Sequence, residues 1–235
     1  MIMKTILVAC EYSGIVRDAF ENAGWNAWSC DLLPTESEQT KAAGKHFEGD
    51  VRYLLLNDKL ATDTRKNLGM PKKFDLLIGF PPCTSVSFAY TGKERYSTTR
   101  LQDKINAYQF FLNLWAAPVE HICLENPMGY IHTGLLPYTQ IVEPYYFGHN
   151  YTKRTCLWLK NLPKLEYSLS DNLFGEKTAQ TPEYYLINST PSKRRKLKNL
   201  MQPFLSGKEK SKFHTGVANA MAVQWTEFFN KNRKY

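Results

Sequence analysis

Short apolar runs, recurring along the chain between stretches of helical periodicity, restrict the fold more than any other feature. "KTILVAC" (4–10), "WNAWSCDL" (25–32), "FDLLIGF" (74–80), "HICLEN" (121–126) and "TCLWLK" (155–160) read as strands, with the shorter "HFEGDV" (46–51) among them. Strands with so little alternation are buried on both faces, as when helical crossovers cover both sides of a parallel sheet. The crossovers are legible too. "IVRDAFENAG" (15–24) is an amphipathic helix closed by Gly24, a second helix crosses Leu101–Trp115, and "TGVANAMAVQWTEFF" (215–229) is the last. The pattern predicts an α/β fold with a mostly parallel, doubly wound, Rossmann-like sheet. From Asn161 to Lys212 the rhythm breaks into Pro, Ser, Asn, Tyr and clustered Lys/Arg. The expected organisation is therefore a core over 1–160, a small basic insert over 161–212 and a helix returning to the core over 213–235.

In an open doubly wound sheet, ligands sit beyond the carboxyl ends of the strands. Those ends carry "EYSG" (11–14), Asp31, Asp50, Pro81-Pro82-Cys83 and Glu125-Asn126-Pro127. Gly14 lets a backbone approach a ligand closely, although a plain turn uses the same residue. Asp31 stands where such folds hydrogen-bond a ribose hydroxyl pair, and Asp50 is placed to accept from an adenine amino group. The phosphate cradles GxxxxGK[ST] and GxGxxG are both absent. Adenosine without a phosphate cradle points to S-adenosyl-L-methionine rather than ATP or NAD.

Cys83 and Glu125 suggest the chemistry. Cytosine is not nucleophilic at C5, but a thiolate added to C6 turns the ring into an enamine that attacks a methyl sulfonium. A carboxyl with a pKa raised by burial eases that addition by protonating the ring at N3. Alternatively, Cys83 is a small buried hydrophobe and Glu125 a structural neighbour of a helix start; their occurrence at adjacent strand ends favours function.

Charge narrows the partners. The net charge is +8, and eleven Lys/Arg against Glu209 and Glu227 lie between Pro191 and Tyr235, leaving residues 1–190 near neutral. A basic arm on a near-neutral body suits a polyanion, although a solvated tail has the same composition. Five cysteines without a CxxC pair indicate neither a disulfide framework nor a zinc site, so no metal is expected and a reducing cytoplasm is. No run approaches a membrane span, and "MIMKTILVACEYSG" lacks a signal-peptide pattern.

The same residues resemble the DNA (cytosine-5) methyltransferases, in particular short phage-type members, over most of the chain and in the family's order. "VACEYSGIVRDAF" looks like the first cofactor motif, "SCDL" the acid that follows, "GDV" the adenine-contacting motif and "GFPPCTSVS" the nucleophile motif. "LENP" resembles the Glu-Asn-Val element, "NYTKRTCLWL" the basic strand motif and "GVANAMAVQW" the C-terminal motif. The resemblance implies the class I S-adenosylmethionine-dependent methyltransferase fold. It implies Cys83 as nucleophile, Glu125 on the cytosine N3, and S-adenosylmethionine held by Tyr12, Ser13, Gly14, Asp31, Leu32, Asp50, Val51 and Asn219, with Phe80 and Pro82 nearby. The sequence departs from the family in Val16 and Arg17, which replace later glycines of the first motif, in Thr84 for glutamine, and in Pro127 for valine. Lys153 and Arg154 are adjacent rather than alternate, which leaves open which one reaches the base; the forked donors of Arg154 favour it.

The family's recognition region corresponds to 161–212, whose Tyr184, Tyr185, Lys193, Arg194, Arg195, Lys196 and Lys198 suit phosphate contacts. So small a region implies short recognition, about two to four base pairs. The loop over 88–100, with Gly92, Lys93, Arg95 and Arg100, is by position a lid over a flipped base or else a plain surface loop. The implied partner is double-stranded DNA, contacted by Lys93, Arg95, Arg100, Lys153, Arg194, Arg195 and Lys196. The implied setting is a monomer in the cytoplasm, a host's if the chain is phage-encoded, protecting DNA against restriction. The rivals are an RNA cytosine-5 methyltransferase, a DNA-binding protein that keeps the fold without turnover, and an amino-methyltransferase. The last is disfavoured by Phe80 and Cys83 flanking Pro81-Pro82.

Overall fold

The computed structural model describes residues 3–56, 58–88, 98–169, 178–180, 184–185 and 212–232. Its centre is a seven-stranded sheet in the order β3-β2-β1-β4-β5-β8-β6. The strands are β1 (Thr5–Ala9), β2 (Asn26–Asp31), β3 (His46–Glu48), β4 (Leu76–Gly79), β5 (His121–Pro127), β6 (Gln140–Val142) and β8 (Thr155–Lys160). The first five are parallel, with Ala9 facing Cys30 and Gly79, and Gly79 facing Leu124. β8 runs antiparallel between β5 and β6, Glu125 facing Leu157. A separate two-residue pair joins β7 (Tyr151–Thr152) to β9 (Tyr184–Tyr185). This is the α/β, mostly parallel, doubly wound architecture expected. It places the ends of β1, β2, β4 and β5 along one rim.

Both faces of the sheet are covered. α1 (Ile15–Asn22) and the last helix, α7 (Thr215–Lys231), pack on one side, where Val16, Ala19 and Phe20 meet Ile6, Val8, Val217, Met221 and Trp225. Burying a side chain such as Phe20 stabilises the fold by roughly 1.5–3 kcal/mol. Indole Nε1 of Trp25 donates to Thr226 Oγ1 at 2.7 Å, tying the start of β2 to α7. On the other side, Phe111 and Leu114 of α5 (Thr98–Trp115) pack on Leu7, Leu77, Leu124 and Trp158. Between the strands lie the short helices α2 (Glu38–Ala43), α3 (Arg52–Leu55), α4 (Lys59–Asn67) and α6 (Tyr130–Gly134), and a 3-10 turn over Pro144–Phe147.

α2 and α4 carry side-chain caps, Ser37 Oγ accepting from Thr40 N and the Asp58 carboxylate from Ala61 N, which satisfy donors that a helix start leaves open. No helix among the described residues is long and apolar enough to cross a membrane.

Candidate active site

β4 ends at Gly79, and the next residues rise to the rim as Phe80, Pro81, Pro82 and Cys83. Two prolines fix φ twice, so the loop has few alternatives. The amides of Val86 and Ser87 both donate to the Cys83 carbonyl, at 3.1 and 2.9 Å, closing a turn behind the thiol. That turn is pinned in its own right. Tyr130 N donates to Val86 O at 2.7 Å, and a Cβ on Gly129 would stand 2.1 Å from the same oxygen, so only glycine allows the approach. On its other flank, Asn126 Nδ2 donates to Pro81 O at 2.8 Å and to Glu125 O at 2.9 Å.

Cys83 is half-buried, and its sulfur and the Glu125 carboxyl act on one another electrostatically. Burial first, and then the Glu125 charge, push the thiol pKa up, while the Lys153 charge pulls it down. Burial likewise raises Glu125, opposed by Lys153 and a hydrogen bond with Thr155. A raised pKa favours the protonated form of the carboxyl. It is Lys153 whose charge reaches both groups. Arg154, its side chain 60% exposed, pairs with Glu143 at 3.4 Å and places Nη1 4.0 Å from Met128 Sδ.

Beside this cluster opens a cavity of about 570 Å³. Asp31, Leu32, Asp50, Val51 and Pro82 line it, whereas Tyr12, Ser13, Gly14, Phe80 and Asn219 stand outside its wall. Asp31 accepts from Leu33 N at 2.9 Å. Asp50 is held by Arg52, whose Nε lies 2.9 and 3.0 Å from its two oxygens, and this hydrogen bonding lowers its pKa. Phe80 packs on Phe213, ring centroids 4.8 Å apart, and Asn219 is exposed on α7. Among the described lining residues, three carboxylates, Asp31, Asp50 and Asp103, face the space with one cation, Arg52.

The first loop has its own logic. Glu11, almost fully buried, accepts from Val16 N at 2.7 Å, Arg17 N at 3.3 Å and Ser13 Oγ at 3.2 Å. The start of α1, where a phosphate would otherwise bind, is thus filled by the chain's own carboxyl. Gly14 caps the helix at φ 76°, and a Cβ there would lie 2.3 Å from Ser37 Cβ. Val16 fills the core, and Arg17, fully buried, pairs with Asp18 at 2.9 Å and Glu21 at 3.0 Å and donates to Ala27 O. These contacts explain why neither position is glycine.

Several lining residues escaped the sequence reading. Asp103, Asn106, Phe110 and Asn113 of α5 form one wall. Their spacing of three to four on a predicted helix marks one face, but nothing local says what that face meets. Cys10 and Cys30 also line the cavity; burial, followed for Cys10 by Asp31 and Asp50, holds the Cys10 thiol up at about 12, so it is protonated and inert. Lys93, Arg95, Arg194, Arg195 and Lys196 lie outside the described residues, as does most of 161–212; Arg100 is half-buried in the first turn of α5. Among the described residues no group of three or more His, Cys, Asp or Glu side chains could hold a metal ion.

No protein-family model matches the chain, and no curated protein does. Among solved structures it is similar to a protein described as a DNA modification methyltransferase encoded within an E. coli prophage, at 20% identity over 76% of this chain and 52% of that one, TM-score 0.45. It is also similar to the methyltransferase EhMeth of Entamoeba histolytica (13%, 77% and 58%, TM-score 0.42) and to the Dnmt2 methyltransferase of S. pombe (16%, 72% and 52%, TM-score 0.43). The chain thus spans between 52% and 58% of the length of these structures.

Proposed function

We propose that the protein is a DNA cytosine-5 methyltransferase that uses S-adenosyl-L-methionine and a covalent Cys83 adduct. The observation that carries this reading is the electrostatic interaction of Cys83, Glu125 and Lys153 at adjacent strand ends, beside an acidic cavity with no phosphate cradle. ATP and NAD are polyanions, which three carboxylates against one guanidinium repel; a sulfonium with an adenosyl group carries the complementary charge. Asp31 suits the ribose hydroxyls, and the exposed side chain of Leu32 with Val51 offers apolar surface to a purine.

In this reading the Cys83 thiolate adds to C6 of an extruded cytosine, and Glu125 gives its proton to N3. The bond order moves so that C5 becomes nucleophilic, and Lys153 steadies the negative charge on sulfur and carboxylate during the exchange. Bound in the cavity, S-adenosylmethionine supplies an electrophilic methyl group. Loss of the C5 proton to solvent then expels Cys83, and N3 returns its proton to Glu125. Extruding the base costs a few kcal/mol, which phosphate contacts from the basic residues of 161–212 offset. Within the proposal, 1–160 is the catalytic core, 161–212 the recognition insert and 213–235 a helix completing the core. The enzyme acts as a monomer in a reducing cytoplasm, protecting DNA against restriction.

The test is covalent trapping. Incubated with S-adenosylmethionine and duplex DNA carrying 5-fluorocytosine, the protein should form an adduct stable to denaturation, and Cys83→Ser should abolish it. An adduct with 5-fluorocytosine RNA in place of DNA would move the activity to RNA. DNA binding without methyl transfer would leave only a binding protein.

A further inference from the structure

Phe88, five residues after the nucleophile, lies outside both hydrophobic cores and is 44% exposed. An aromatic ring left in water loses the stabilisation its area would gain by burial. This ring is also held in place. It meets the edge of Tyr130 with centroids 5.0 Å apart and planes at 82°. Tyr130 is itself fixed, by its amide to Val86 O at 2.7 Å and by Tyr108 Oη, which donates to its carbonyl at 3.1 Å. Lys104 Nζ sits 3.5 Å above the Tyr130 ring, so a positive charge accompanies the aromatic pair.

We propose that Phe88, Tyr130 and Lys104 form a ledge on which a base of the DNA strand, next to the cytosine delivered to Cys83, stacks. This rests on the methyltransferase reading above and goes beyond it by naming the contact for the neighbouring nucleotide. Three features select this occupant. The ledge continues directly from the nucleophile turn, since Val86 and Ser87 bond the Cys83 carbonyl and Phe88 is the next residue. Its charge is positive, which suits a phosphate-bearing strand. Its surface is an exposed aromatic ring, and every base offers a π-face to stack on it whatever the sequence. Extruding a cytosine leaves its neighbour unstacked on one side, and a rigid ring beside the nucleophile replaces that lost contact.

The test uses a pool of duplex DNA of randomised sequence, with 5-fluorocytosine for cytosine and 5-iodouracil for part of the thymine, and needs no knowledge of the target. Phe88→Ala should weaken DNA binding on the order of tenfold. Phe88→Trp should restore it, which separates stacking from misfolding. Lys104→Gln should reduce the salt slope by about one. Affinity for S-adenosylhomocysteine should stay at the wild-type value in all three. Photocrosslinks from 5-iodouracil should map to Phe88 or Tyr130. Wild-type binding and trapping by Phe88→Ala, or crosslinks confined to other segments, overturn the ledge while the enzyme reading stands. A wild-type protein that neither binds nor traps the pool overturns both.

Discussion

Asn126 Nδ2 donates to the carbonyl of Pro81 at 2.8 Å, joining the strand that carries Glu125 to the loop that carries Cys83. The Glu125 carboxyl and the Cys83 thiol are therefore tied through one backbone unit. Asn126→Ala leaves the Pro81 carbonyl without this donor and should cost about 1–3 kcal/mol in urea denaturation. The rate of 5-fluorocytosine trapping should fall with it, while affinity for S-adenosylhomocysteine, measured by calorimetry, stays the same.

The thiol should answer to its two charged neighbours in opposite senses. Burial and then Glu125 raise its pKa, so alkylation of the free protein by iodoacetamide should keep rising through pH 9, the ordinary thiol value. Glu125→Gln removes a negative charge and should move the curve to lower pH; Lys153→Gln should move it higher. Mass spectrometry of the Cys83 peptide follows this directly. Methylation by Glu125→Gln should nevertheless fall on the order of a hundredfold or more, because the proposed reaction loses its proton donor for N3.

Glu11 should make stability depend on pH. Burial pushes its pKa from 4.5 to about 7, overcoming the hydrogen bonds it accepts from Val16 and Arg17. Between those values the native state holds a proton that the unfolded chain has released, so stability falls as pH rises through the window. The full loss, reached above about pH 7, is on the order of 3 kcal/mol. Glu11→Gln should flatten that slope in denaturation curves between pH 4.5 and 7. A slope unchanged by the substitution would assign the pH dependence elsewhere.

Two left-handed glycines separate crowding from backbone strain. Gly14 (φ 76°) has Ser37 Cβ at 2.3 Å from where a Cβ would stand, whereas Gly44 (φ 62°) has nothing within 4 Å. Gly44→Ala should cost only the left-handed penalty, about 1–2 kcal/mol. Gly14→Ala should cost more, because Ser37 and the Asp18–Thr40 hydrogen bond at 2.8 Å must shift. Thermal denaturation of the pair measures the difference.

The charge of the cavity should discriminate between two adenosyl compounds of nearly the same shape. Asp103→Asn removes one of three carboxylates facing the space. S-adenosylmethionine, with its sulfonium, should lose on the order of tenfold in affinity, and uncharged S-adenosylhomocysteine much less. Equal losses for the two in calorimetry would mean Asp103 acts by shape alone.

Much of this molecule is written locally. Leu76–Gly79 and residues 6–9 are continuously apolar because both sheet faces are covered, so strands and fold class follow from hydrophobic pattern without any long-range information. Pro81, Pro82 and Cys83, with Glu125 on the next strand in sequence, could be placed on one rim because parallel strands bring their carboxyl ends together. What pattern could not supply was partnership. Gln140–Val142 is too short to register as a strand, and exists as one by pairing with β8. Asp103, Asn106 and Asn113 are polar positions on a helix until the crossover lays them over the cavity. Lys153 and Arg154 are equivalent neighbours in sequence; Glu143, eleven residues before Arg154, draws off Arg154, and the Lys153 charge acts on the thiol. Burial periodicity is a property of each segment, so the sequence by itself determined the elements and their order. Hydrogen bonds and charges act across space between segments far apart in the chain, so only the tertiary structure decided which side chains share the site.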